Sequence, residues 1–225
     1  DFDGTLADLA PRPEAVVVAP AVPRALQRLA ELHAGAVAIL SGRPVSEIDL
    51  FLAPLQLPAA GVHGAERRGT DGQLRRLPLP SLEPLQGPLR AFVAPHPGLQ
   101  LEHKPGALAL HYRGAPALED ECLAVMARVQ GLVDGLALQR GKCVVELKPR
   151  GASKGQALRR FLDERPFRYR RPWVFGDDVT DESAFEVALA LGGVAVKVGA
   201  GETLAPFRLE SPAHLHQWLE EAAPA

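Results

Sequence analysis

DFDGT, Asp1 to Thr5, sets two aspartates one residue apart and follows them with a glycine. Where a strand ends, side chains two apart point the same way, so Asp1 and Asp3 can converge on one small volume. Two carboxylates there repel unless a cation lies between them or one holds a proton. Gly4 lets the chain turn sharply after them. Three further stretches carry matching chemistry. SGR, Ser41 to Arg43, closes an apolar run with a hydroxyl able to donate to a phosphoryl oxygen. GASKG, Gly151 to Gly155, puts Lys154 in the first turn of a helix, where backbone N–H groups and an ammonium favour an anion. GDDVTDE, Gly176 to Glu182, adds carboxylates suited to an octahedral magnesium site built from oxygen ligands. Each alone has an ordinary explanation: an acidic turn, a loop serine, a surface lysine, a charged helix start. Together, in this order and at strand or helix ends, they exceed what short motifs do by chance.

The elements that must position these groups are legible in outline. AVAIL (Ala36 to Leu40), WVF (Trp173 to Phe175) and GVAVKVG (Gly193 to Gly199) read as buried strands. VPRALQRLAELH and SKGQALRRFLDE carry apolar residues at helical spacing, with Ser153 placed to cap the second. Parallel-type strands alternating with amphipathic helices imply a layered α/β fold with its site outside the strands' carboxyl ends. The middle of the chain differs. After TDG, which suggests a hairpin, it runs helix, two strands, helix, two strands: LQLEH, LALHY, LALQR and CVVEL. This α+β module is placed at 81–148, inserted in a core formed by 1–80 and 149–225, and such an insertion commonly acts as a lid.

Composition bounds the class. The chain has 225 residues, 47% hydrophobic and 23% charged, enough for a large domain or a domain with an insertion. A formal net charge of -2 gives no electrostatic case for nucleic acid or anionic membrane as partner. No apolar run approaches the roughly 20 residues needed to cross a bilayer. Cys122 and Cys143 sit in no metal-binding cluster, which points to a reducing compartment. The expectation is a cytoplasmic monomer.

The four motifs resemble the haloacid dehalogenase superfamily of phosphatases. Within it, GVHGAERR, LEHKPGALALHYRGAP, GKCVVELKPRGASKGQAL and FGDDVTDESAF are similar to the trehalose-6-phosphate phosphatase family, in its bacterial single-function form. The likeness runs from Asp1 to about Trp218. It implies a haloacid-dehalogenase-like Rossmannoid core with a parallel sheet, and an inserted α+β cap. It also implies magnesium-dependent hydrolysis of trehalose 6-phosphate through an aspartyl phosphate. Asp1 would be the nucleophile and Asp3 the general acid and base. Magnesium would be held by Asp1, the carbonyl of Asp3 and Asp177, with Asp181 ligating or orienting it. Ser41 and Lys154 would hold the transferring phosphoryl oxygens.

Sugar recognition is expected from Glu102, Lys104, His111, Arg113 and Glu146. In the HYR string His111 and Arg113 share a face, as do Glu102 and Lys104. His63 and Glu66 are expected near the junction of module and core, as substrate contacts or in a hinge or packing role. Arg43 is expected to touch substrate or to pair with an acid. Three other readings compete: a phosphatase of sucrose phosphate or a hexose phosphate, a non-catalytic phospho-acceptor, and an inactive chain. The last arises because the resemblance puts an apolar strand ahead of the first aspartate. Without it, neighbouring strands would lose a pairing partner and leave apolar groups uncovered.

Overall fold

The computed structural model describes residues 1–78, 80–104 and 106–223. They form two compact units, Asp1–Arg75 with Ser153–Ala225, and Arg76–Ala152. The second unit contains the expected 81–148 module and extends beyond it at both ends, to 76 and 152.

In the first unit, DFDGT forms a tight loop in which the Phe2 carbonyl accepts from the N–H groups of Thr5, Leu6 and Ala7. Helix α1 (Ala21–Leu32) buries Val22, Ala25, Leu26 and Leu29, one stripe at helical spacing. Strand β1 (Ile39–Leu40) leads through SGR into α2 (Val45–Leu52), and β2 (Ala59–Gly61) pairs parallel to β1. Strand β3 (Glu66–Arg68) runs antiparallel to β2, and β4 (Leu74–Arg76) completes the order β1-β2-β3-β4. β1 is shorter than the expected Ala36 to Leu40. Its register pairs Ile39 with Ala59, so the next rung would fall on Pro58, which has no N–H to donate.

The second unit begins with α3 (Glu83–Val93), followed by β5 (Gln100–Lys104) and β6 (Ala107–His111). Helix α4 (Glu119–Gln130) then leads to β7 (Leu136–Gly141) and β8 (Val144–Pro149). The four strands form an antiparallel sheet of order β5-β6-β8-β7. Leu108 and Leu110 of β6, and Val145 and Leu147 of β8, pack in one cluster with Leu85, Leu89 and Met126 of the two helices. Alternation along each strand leaves the polar residues on the other face.

The chain returns to the first unit with α5 (Lys154–Leu162), capped by the Ser153 hydroxyl accepting from the Gln156 N–H at 3.1 Å. Strand β9 (Trp173–Gly176), α6 (Glu182–Ala190), β10 (Val194–Val198), β11 (Phe207–Leu209) and α7 (Pro212–Ala222) follow. Strands β9 to β11 form a second, parallel sheet of order β11-β10-β9. A cavity of about 660 Å³ is lined by Ala36 to Leu40 and by Trp173 to Phe175, with Asp1 and Thr5 also on its wall.

Candidate active site

Ser41 follows β1 and Lys154 opens α5, while Asp1 and Asp3 lie in the DFDGT loop. The main-chain nitrogen of Asp1 donates to the Phe175 carbonyl at 2.8 Å, tying DFDGT to the end of β9. Asp177 follows β9 directly. Asp181 ends the single turn Val179–Asp181, where its carboxylate accepts from the Asp178 N–H at 3.2 Å while Asp178 caps the same turn. One carboxylate oxygen from each of Asp1, Asp177 and Asp181 lies within 4.8 Å of the others. Asp178, which sequence alone leaves as a loop acid, therefore shapes the turn that aims Asp181.

The close approach explains Gly4. Its φ of +74° lies in the left-handed region, and a Cβ there would come 2.1 Å from Asp177 Oδ2. Glycine thus serves both the turn and the seat of the Asp177 carboxylate.

Lys154 bridges the cluster, with Nζ 2.7 Å from Asp1 Oδ1 and 2.7 Å from Asp181 Oδ1. It is almost wholly buried, and its two partners satisfy a charge that burial alone would penalise. A second buried lysine, Lys197 of β10, donates from Nζ to the Asp177 carbonyl. The carboxylates still dominate. Burial, and next the charge of Asp181, push Asp177 up from its ordinary 3.8 to about 6. A partly buried site of three carboxylates, with one of them resisting ionisation, has the donor chemistry of a hard divalent cation. The residues present fit magnesium.

Ser41 is buried at the end of β1, and its Oγ accepts from the Arg43 N–H at 3.1 Å. The hydroxyl proton is left to donate elsewhere. His63 lies against this loop: its N–H donates to the Ser41 carbonyl at 2.9 Å, and its ring is close enough to Gly42 to exclude any Cβ there. Val62 and His63 have φ of 49° and 53°, left-handed values that a β-branched residue rarely adopts. Glu66 accepts from the Val45 N–H at 2.7 Å, which satisfies the first turn of α2. HGAE thus braces the SGR loop from below. Thr5, fully buried, has its Oγ1 3.4 Å from Asp1 Oδ2. Sequence reasoning passed over Thr5 and Lys197; the DxDGT pattern itself could have flagged the first, and nothing local marks the second.

Asp3 is not part of the three-carboxylate cluster. Arg43 grips it instead, with Nε 2.7 Å from Oδ2 and Nη2 2.7 Å from Oδ1. Its Nη1 donates to Glu47 Oε2 at 2.9 Å and its Nη2 also to the Pro13 carbonyl at 2.9 Å. Burial opposes the guanidinium charge, but Asp3 and Glu47 outweigh it and raise Arg43 above its ordinary value.

In the second unit, β-sheet register puts Glu102, Ala109, Glu146 and Gln139 in one row across four strands. Lys104, His111 and Lys148 lie two residues from members of that row and so share its face. His111 Nε2 is 2.7 Å from Glu102 Oε2, and Lys104 Nζ is 3.3 Å from Glu146 Oε1. Burial opposes ionisation of Glu102, yet His111 and Lys104 together hold it below the usual carboxylate range. Arg113 departs from expectation. β6 stops at His111, so Arg113 sits exposed in the following turn and not on the strand face. Tyr112 is buried, with its hydroxyl donating to Glu119 Oε1 at 3.0 Å. Gln139 and Lys148 join the polar face without having been singled out from sequence.

The family model for trehalose-phosphatase matches residues 1–213. The chain belongs to the trehalose-phosphatase family. It is 46% identical over 222 residues to the trehalose-6-phosphate phosphatase of Escherichia coli strain K12, covering 98% of this chain and 84% of that one. Its fold is similar to that of the C-terminal domain of C. albicans trehalose-6-phosphate phosphatase, with TM-score 0.86 at 21% identity, over 99% of this chain and 90% of that one. It is also similar to a phosphatase of the haloalkanoate (HAD) enzyme superfamily from Bacteroides thetaiotaomicron, with TM-score 0.62 at 17% identity, over 97% of this chain and 92% of that one. The chain therefore shares the fold of these phosphatases, with an α/β core containing parallel strands and a separate α+β unit. Among the described residues, no helix is long and apolar enough to cross a membrane.

Proposed function

We propose that this protein hydrolyses trehalose 6-phosphate to trehalose and phosphate, with magnesium, through an aspartyl phosphate on Asp1. The observation that carries the reading is the junction of Asp1, Lys154, Asp177 and Asp181 in one cluster, in a chain 46% identical to a named trehalose-6-phosphate phosphatase. Asp1, Asp177 and the Asp3 carbonyl would hold Mg2+, and Asp181 would orient Lys154 and the ion. Bound there, the ion supplies positive charge at the phosphoryl oxygens.

In the first step a carboxylate oxygen of Asp1 bonds to phosphorus as the bond from phosphorus to the sugar oxygen breaks. Asp3 gives its proton to that departing oxygen. In the second step Asp3 takes a proton from water. The water oxygen bonds to phosphorus, the bond to Asp1 breaks, and phosphate leaves. Ser41, with its hydroxyl proton uncommitted to Arg43, and Lys154 hold the phosphoryl oxygens throughout. Glu102, Lys104, His111 and Glu146 recognise sugar hydroxyls, because a face of mixed donors and acceptors matches groups that both donate and accept.

Asp1→Asn is expected to cut phosphate release from trehalose 6-phosphate by about 10³-fold or more, with an unchanged circular-dichroism spectrum. Retained turnover would refute the nucleophile. Glu146→Gln is expected to raise KM for trehalose 6-phosphate and leave p-nitrophenyl phosphate, which has no sugar, unaffected. Equal rates of the parent enzyme on trehalose 6-phosphate, sucrose phosphate and glucose 6-phosphate would remove the substrate assignment.

A further inference from the structure

Arg43 is committed on every side. Nε and Nη2 grip the two oxygens of Asp3, Nη1 holds Glu47, and Nη2 also reaches the Pro13 carbonyl. The guanidinium carbon stands 4.8 Å from the centre of the Phe51 ring, a cation–π contact that fixes the plane. The side chain is 8% exposed. A guanidinium has five N–H donors, and four are directed at these protein acceptors, which leaves little with which to recognise a sugar or a phosphoryl group.

We propose that Arg43 does not bind substrate but is a positioning residue that acts through Asp3. This rests on the role given to Asp3 above. While both Asp3 oxygens accept from Arg43, the carboxylate is held in one orientation as a pure acceptor. That is the form needed to take a proton from water when the bond from phosphorus to Asp1 is broken. An oxygen that accepts from Arg43 keeps a second lone pair for the proton it takes or gives, so the same grip orients Asp3 in both steps. Lysine could supply the charge at this position but not the two parallel bonds. Glu47, in the first turn of α2, holds the guanidinium in the plane that meets Asp3.

The test is rapid-quench kinetics with radiolabelled trehalose 6-phosphate on the parent, Arg43→Gln, Arg43→Lys, Asp3→Asn and the Asp3→Asn/Arg43→Gln double variant. Arg43→Gln is expected to lower kcat about 10- to 100-fold, a fraction of the roughly 10²–10⁴-fold a general base contributes. KM should stay within about 3-fold. Arg43→Lys should behave like Arg43→Gln, and Arg43→Gln should cost nothing further in the Asp3→Asn background. A raised KM with kcat retained would overturn the proposal, since Arg43 would then be a substrate ligand. So would parent-like kcat in Arg43→Lys, or additive losses in the double variant. If Arg43→Gln does not fold, Glu47→Gln carries the same readout: a kcat lowered several-fold at constant KM supports the proposal, and a parent-like kcat overturns it. Full activity in Asp3→Asn alone would instead refute the role of Asp3, so the two failures are distinguishable.

Discussion

Asp177 shows how single residues in this site are tuned by what surrounds them. Burial and the neighbouring Asp181 carboxylate raise it to about 6, against 3.8 for a free aspartate. Between those two values the folded chain binds more protons than the unfolded one, so stability without divalent ions falls as pH rises through that window. A bound cation reverses the balance, because it favours the ionised carboxylate. Magnesium should therefore raise the thermal midpoint more at pH 7 than at pH 5. Its dissociation constant, measured by calorimetric titration, should increase as pH drops through about 6. A magnesium affinity flat from pH 5 to 7 would count against Asp177 as a ligand. Lys154, held between Asp1 and Asp181 at 2.7 Å from each, is the complementary case: a buried cation made tolerable by two acids.

At the scale of elements, short turns decide whether these side chains meet. The DFDGT loop needs Gly4 at positive φ, and Gly4 must also clear the Asp177 carboxylate. Gly4→Ala faces both the left-handed penalty of about 1–2 kcal/mol and a clash that displaces Asp177. Urea denaturation should register at least the first, and magnesium affinity should weaken by about 10-fold or more, as when a ligand loses its support. Ordinary magnesium binding in Gly4→Ala would mean that the Asp177 seat is not set by this turn. Helix α5 makes a parallel point. The Ser153 cap places Lys154 in the first turn, and the cap is written in four consecutive residues, so it could be read before any fold was known. The HGAE turn could not be read this way, because left-handed Val62 and His63 obey no local preference and are held by the SGR loop they support.

At the scale of the whole molecule, each unit has its own apolar core. Leu85, Leu89, Leu108, Leu110, Met126 and Leu147 form that of the second unit, while Phe161, Phe185, Ala184 and Ala195 belong to a cluster of the first. Leu108→Ala removes a fully buried side chain and should cost about 2–5 kcal/mol. Hydrogen exchange should then quicken across β5 to β8 while amides of β10 keep their protection. Uniform loss of protection in both units would show that they unfold as one.

Much of this architecture was legible because its causes are local. The four motifs, the amphipathic α1 and α5, and the alternating strands of the second unit are written in spacing and in capping residues. The sequence alone determined which candidate groups occur and in what order. It misjudged β1, since the limit there is Pro58 on the partner strand, and it put Arg113 on a strand that ends two residues earlier. Only the tertiary structure decided who partners whom. Arg43 reaches Asp3 from 40 positions away, Lys154 reaches Asp181 across 27, and Lys197 meets the Asp177 carbonyl across 20. Charge, reach and residue type say that such groups can pair. The choice among possible partners is made by packing, which brings strand ends from distant parts of the chain into a buried space where an unpaired charge is costly.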